Sequence, residues 1–311
     1  MSTEPGGSTP QSQAPLDKMS PPHMLLIIVG DLLAAGYVIV FANSGPVLAG
    51  LSLLVAALAL IILGAAGLGS RMSAVPAMAG LNAGIRPDAD SHTSYPARLE
   101  GQLDPNLTRW MWLFKWLLAI PHYIVLAFLW VAFIVVTVVA GLVILFTSHY
   151  PPSLFRFNVG VMRWHWRVAF YATGVLGTDD YPPFTLARTS YRANFDVEQP
   201  AKLSRWQVLV KSWLFALPHL IIVGLFTGSV WSSTADGGTN GMSLLGLLVF
   251  ITAVILLFTG VYRMGLFNLI MGINRWMYRT ISYTALMSDD YPPFRLDQGP
   301  QEPPIRAAVA L

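Results

Sequence analysis

Cysteine is absent from the 311 residues, which excludes disulfides, thiolate metal ligands and cysteine nucleophiles. Charge is nearly as scarce. Only 11% of the residues are charged and 54% are hydrophobic, whereas a soluble domain carries roughly 25% charged residues. With a mean hydropathy of +0.56, too little polar surface remains for a water-soluble shell, and the class implied is an integral membrane protein. Signatures of common catalysis are missing as well: the Gly-rich phosphate loop with its lysine, His-Glu-x-x-His and Gly-x-Ser-x-Gly. No catalytic residue, cofactor or metal is therefore expected, and the net charge of +3 suggests no nucleic-acid partner.

What is present is a repeat. Asp-Asp-Tyr-Pro-Pro-Phe occurs at Asp179–Phe184 and again at Asp289–Phe294. Upstream of it, Tyr95 answers to Tyr191, Arg109-Trp110 to Arg205-Trp206, Lys115 to Lys211 and Pro121-His122 to Pro218-His219. Phe146-Thr147 then matches Phe258-Thr259, Gly160 matches Gly272, and Arg163-Trp164 and Arg167 match Arg275-Trp276 and Arg279. Self-similarity of this length indicates one structural module built twice. The organisation expected is a disordered cytoplasmic tail over 1–22, an N-terminal transmembrane hairpin over 23–69 and a linker over 70–94. The two repeats follow over 95–190 and 191–296, and a disordered tail ends the chain over 297–311.

Apolar runs of about 20 residues are long enough to cross a bilayer. His23–Ala42 and Val47–Leu68 qualify, as do Trp206–Trp231 and Ser243–Tyr262 on either side of the polar loop Ser232–Met242. Trp110–Thr147 has no such loop and reads either as one long helix or as two short ones with an apolar turn near Trp130–Phe133. The 19 Lys and Arg residues decide the reading: all fall at Lys18, Arg71–Lys115, Arg156–Lys211 and Arg263–Arg306. Two spans per hairpin place every one of them on one side, as the positive-inside rule requires. The fold expected is thus an all-α integral membrane protein of six transmembrane helices in three hairpins. The location expected is a bacterial plasma membrane, multi-pass, with both termini cytoplasmic.

After each hairpin comes a segment too charged to span, Leu154–Leu176 and Gly265–Met287. At 100° per residue, Arg156, Gly160, Arg163 and Arg167 share one helical face, and Arg275 and Arg279 repeat the stripe. This predicts two amphipathic helices on the cytoplasmic interface, guanidiniums toward lipid phosphate. Arginine suits carboxylates equally, so pairing with Asp179-Asp180 and Asp289-Asp290 is the alternative. Pro96–Leu103 and Arg192–Glu198 alternate like short cytoplasmic strands, with Phe184–Leu186 and Phe294–Leu296 as available partners.

Few residues inside the expected spans ionise: Asp31, His122 and His219. Intramembrane ionisable groups are costly and count as functional candidates, here a proton relay or coupling site. The plainer reading is geometric. Pro121 and Pro218 each free a helix carbonyl four residues back, and the adjoining imidazole is placed to satisfy it.

Leu-x-x-x-Pro-His in an apolar helix, then Arg-Trp-x-x-Arg, then Asp-x-Tyr-Pro-Pro-Phe resembles a domain of unknown function, numbered four-three-eight-nine, of actinobacterial membrane proteins. The resemblance covers Tyr95–Leu186 and Tyr191–Leu296 and implies a multi-pass membrane protein, without an activity or a catalytic residue. The function expected is that of a non-catalytic accessory or scaffold subunit that binds anionic lipid head groups and docks on another membrane complex. The alternative is a small transporter or channel with a pathway between the repeats.

Overall fold

A computed structural model of the chain describes residues 95–227 and 243–301, with single positions between 26 and 64. Strand β1, Ala97–Gly101, begins the first copy and β2, Ala193–Val197, begins the second. They pair with each other, antiparallel, with Ala97 opposite Val197, Leu99 opposite Phe195 and Gly101 opposite Ala193. Neither Phe184–Leu186 nor Phe294–Leu296 is a strand. Alternation does the rest: Ala97, Leu99, Ala193 and Phe195 are buried while Arg98 and Glu100 face outward.

Leu99 and Phe195 hold the same place in their copies, so the ladder is symmetric about that pair. A pseudo-two-fold axis passes through it, and the equivalent Trp166 and Tyr278 pack against each other with ring centroids 5.4 Å apart.

Seven helices complete the described structure. In the first copy α1 is Trp112–Leu118, α2 is Ile120–Thr147 and α3 is Pro152–Val168, extended by a π-helical turn at Ala169–Thr173. In the second, α4 is Arg205–Val210 and runs through a π-helical turn at Lys211–Phe215 to α5, Leu217–Thr227; α6 is Leu244–Thr259 and α7 is Met264–Thr284. The break at Ala119 follows from Pro121, which sits in the first turn of α2 and has no N–H to give the preceding helix. Both α2 and α6 stop on a left-handed residue, Ser148 at φ 61° and Gly260 at φ 71°.

The six-span arrangement is not supported. Among the described residues one helix, α2, is long and apolar enough to cross a membrane; α5 and α6 are shorter apolar helices. No turn interrupts Trp130–Phe133: α2 is one helix of 28 residues. The physical reason is continuous. That segment holds no proline, glycine or polar residue, and a buried stripe through His122, Leu126, Leu129, Phe133, Val136, Ala140 and Ile144 runs the length of the helix, which packs against α3 and α4. In the second copy α5 and α6 correspond to the two parts of α2, with residues 228–242 inserted between them. That insertion, the spans expected at His23–Ala42 and Val47–Leu68, and Asp31 lie outside the described residues.

The interfacial helices are corrected too. Among the described elements α3 and α7 are the most enclosed helices, packed between the sheet on one side and α2, α5 and α6 on the other. Their amphipathic stripe faces the strands, where backbone carbonyls take the guanidiniums.

Candidate functional site

The repeated residues assemble two equivalent clusters. In the first, Lys115 on α1 donates to the Thr178 carbonyl at 2.7 Å and pairs with Asp179 at 2.8 Å. The other Asp179 oxygen accepts from the Thr108 N–H at 2.6 Å. Burial alone would raise this carboxyl, but the Lys115 hydrogen bond, the Thr108 N–H and the Lys115 charge outweigh it and hold it below the ordinary value. In the second cluster Lys211 bonds the Ser288 carbonyl at 2.5 Å and Asp289 at 2.6 Å, and Asp289 accepts from Ser204 N–H at 2.7 Å. Each ammonium also lies over a tyrosine ring, Tyr171 at 5.4 Å and Tyr283 at 4.8 Å. The first Asp of each hexapeptide thus pins the start of its helical unit.

His122 and His219 sit in matching aromatic boxes, fully buried. His122 stacks on Phe184 at 3.8 Å and meets Tyr181 at 4.9 Å; His219 stacks on Phe294 at 4.3 Å and meets Tyr291 at 4.8 Å. The indole N–H of Trp164 donates to His122 Nδ1 at 3.1 Å, and that of Trp276 to His219 Nδ1 at 2.9 Å. An imidazole that accepts at Nδ1 is the neutral tautomer with its proton on Nε2. Neither histidine takes the carbonyl freed by its proline; Tyr181 OH reaches the neighbouring Leu118 carbonyl instead, at 3.1 Å. Each box is closed by rings of its own copy, and among the described residues no contact joins the two histidines.

The arginines cross between copies. Arg163 Nε donates to the Phe195 carbonyl at 2.8 Å, and Arg275 Nε to the Leu99 carbonyl at 2.9 Å. Arg163 also bonds the Leu186 carbonyl at 2.9 Å and Asp196 at 3.0 Å. Asp196 in turn pairs with Arg188. Burial, then the charge of Arg188, lowers the Arg163 guanidinium to about 9, so it stays ionised at neutral pH. Arg167 holds the Thr185 and Ala187 carbonyls, Arg275 also holds the Asp297 carbonyl, and Arg279 pairs with Asp297 at 2.6 Å. All four are buried. Arg156 is half-buried and engaged as well. Of the remaining motif residues, Asp180 meets Arg192 at 3.3 Å and its carbonyl takes Tyr191 OH at 2.8 Å, while the Asp290 carbonyl takes Tyr95 OH at 3.2 Å.

Basic groups that do reach the surface lie elsewhere. Arg109 with Trp110 stands in the turn before α1 and Arg205 with Trp206 opens α4; all four are exposed, as are Lys202 and Arg263. Their recurrence as Arg-Trp marks them in the sequence. A polar cleft of about 720 Å³ opens beside the strands, lined by Glu100, Asp180, Arg192 and Asn194 among others. No group of His, Asp and Glu among the described residues could hold a metal ion.

The sequence model of a family described as a domain of unknown function (DUF4389) matches residues 109–185 and 241–295. One segment falls in each repeat, consistent with this domain being present as two copies. In the second repeat the match begins at 241 and does not include α4 and α5. No curated protein and no solved structure is similar to the chain.

Proposed function

We propose that the protein is a non-catalytic scaffold embedded in a bacterial plasma membrane, with its strand side toward the cytoplasm, binding anionic lipid and docking on another membrane protein. One observation carries this reading. The buried lysines and arginines of both copies are paired within the chain, whereas most outward side chains of α1, α2, α4, α5 and α6 are large and apolar. A surface of that kind belongs against acyl chains or another membrane protein. Trp110, Trp116 and Trp206 are each more than half exposed, and such rings favour the boundary between lipid and water. Arg109 and Arg205 stand beside them, where guanidiniums meet lipid phosphate. A conducting path past His122 and His219 has less support, since each ring is walled in by its own copy.

Recovery of the tagged protein in a lipid-preserving polymer, with mass spectrometry of lipids and proteins, tests the reading. The wild type is expected to retain anionic lipid and a membrane protein in fixed ratio. R109E/R205E should lose at least the lipid. Unchanged lipid composition in the variant, with no fixed partner in either sample, would remove the proposal.

A further inference from the structure

Building on that membrane reading, we infer that the two-copy module occupies a single leaflet, with α2 lying along the membrane plane instead of crossing it. The direction of the pseudo-two-fold axis is the first step. Residues directly opposite each other in an antiparallel pair project to the same face, so the axis through Leu99 and Phe195 stands perpendicular to the sheet. Along it come the outward polar face with Arg98 and Glu100, then Leu99 and Phe195, then Trp166 against Tyr278 between α3 and α7, and last the layer of α2, α5 and α6. One end of the axis is polar and the other apolar. That makes it the membrane normal.

The second step concerns the two ends of α2. At its start, the Leu118 carbonyl accepts from Tyr181 OH at 3.1 Å and Lys115 bonds Thr178, both in the hexapeptide region of the first copy. At its finish, the Ser148 carbonyl accepts from Leu203 N–H at 2.9 Å and Ser148 Oγ from Arg205 Nε at 2.6 Å. The adjoining Ser204 N–H is bonded to Asp289, in the hexapeptide of the second copy. The axis makes the two hexapeptides equivalent, so they sit at one level along the membrane normal. A helix of 28 residues is about 42 Å long. Tied at both ends to points of equal level, it lies across the axis. The second copy repeats the tie: Arg109 packs against Gly260 at the end of α6, and Tyr262 OH bonds the Val175 carbonyl.

The third step is the face left over. Ile124, Val131, Ile134, Val138, Leu142 and Phe146 run the length of α2 on the side away from α3 and are each about half exposed or more. A bilayer leaflet is the partner for such a stripe, which is uniformly apolar and has no group to hydrogen-bond a protein. Standing α2 upright would instead carry one of the two Lys-Asp clusters to the far interface. It would also place Arg163, Arg275 and Asp196 at the level of the hydrocarbon core, where ionised groups are costly.

The absence of cysteine gives a clean background for the test. Single variants I120C, V131C, I134C and F146C of the full chain are labelled in sealed membrane vesicles of each orientation with an impermeant maleimide, and their nitroxide derivatives are used to measure depth. The expected result is at least tenfold faster labelling at Ile120→Cys and Phe146→Cys from the same side, with depth staying inside one leaflet from end to end. Ends that react from opposite sides would show a crossing helix and overturn the inference. So would a depth maximum at the bilayer centre around Val131→Cys and Ile134→Cys. Loss of the protein from membranes in an alkaline wash would overturn the membrane reading itself, an outcome distinct from either.

Discussion

Arg163 in the third helix of the first copy donates to the Phe195 carbonyl in the strand of the second, and Arg275 returns the bond to Leu99. Each half is therefore completed by a strand from the other, and the two copies form one folding unit. A guanidinium with Nε and both Nη groups engaged has no substitute in lysine, whose ammonium is a point donor. Arg163→Lys is expected to lose about 3 kcal/mol, in the range for breaking a buried, paired charge, and Arg163→Met at least as much. Thermal unfolding in detergent checks this. Fragments 95–190 and 191–301 should each be degraded when expressed alone and be protected when expressed together.

Asp179 sets a limit at low pH. Its folded carboxyl is held below the ordinary value, so the folded state binds fewer protons than the unfolded one in between. The contribution is present above the unfolded value and disappears as pH falls through the lowered, folded one. Melting temperature is expected to be flat from neutral pH to about 5 and to drop below about 4. In Asp179→Asn it should start lower and lose that part of the acid dependence; an unchanged profile would mean the Lys115 pair carries no stability.

The repeat was legible because it rests on identities that recur at fixed spacing, and the two strands because their residues alternate. The destination of the arginines was not. A guanidinium stripe on an amphipathic helix looks the same whether it meets lipid phosphate or the Phe195 and Leu99 carbonyls, and backbone carbonyls leave no mark in a sequence. The run from Ile120 to Thr147 failed for a related reason. Confinement of all Lys and Arg to a few segments implies that both ends of that run share a side, and two upright helices are only one way to achieve this. Nothing near His122 in the chain announced Trp164, which lies one helix away.

His122 and Trp164 should behave as a coupled pair. Removing the imidazole strands a buried indole N–H, at about 1–3 kcal/mol for an unsatisfied group. His122→Phe is expected to destabilise by about that amount, Trp164→Phe by less than the sum implies, and the double variant to recover about 1 kcal/mol of coupling. The same cycle on His219 and Trp276 should give a similar figure, because the distances match within 0.2 Å, at 3.1 and 2.9 Å. A coupling near zero in both would remove the structural account and return the histidines to the list of conduction candidates.

Gly101 is the tightest point of the strand layer. A Cβ there would meet Phe170 at 2.5 Å and Met271 at 3.0 Å, so the first copy's strand approaches α7 and the π-helical turn only because the residue has no side chain. Backbone conformation is not the obstacle, since its φ is not left-handed; the collision is steric, and relief must come from the neighbour. Gly101→Ala is expected to cost about 1–3 kcal/mol as overpacking. Phe170→Leu alone should also destabilise, by leaving a cavity. If close packing is the cause, the two changes together should be less harmful than their sum by about 1 kcal/mol, read from midpoints of thermal or denaturant unfolding. Simple additivity would place the role of Gly101 in the chain's flexibility and not in its contact with Phe170.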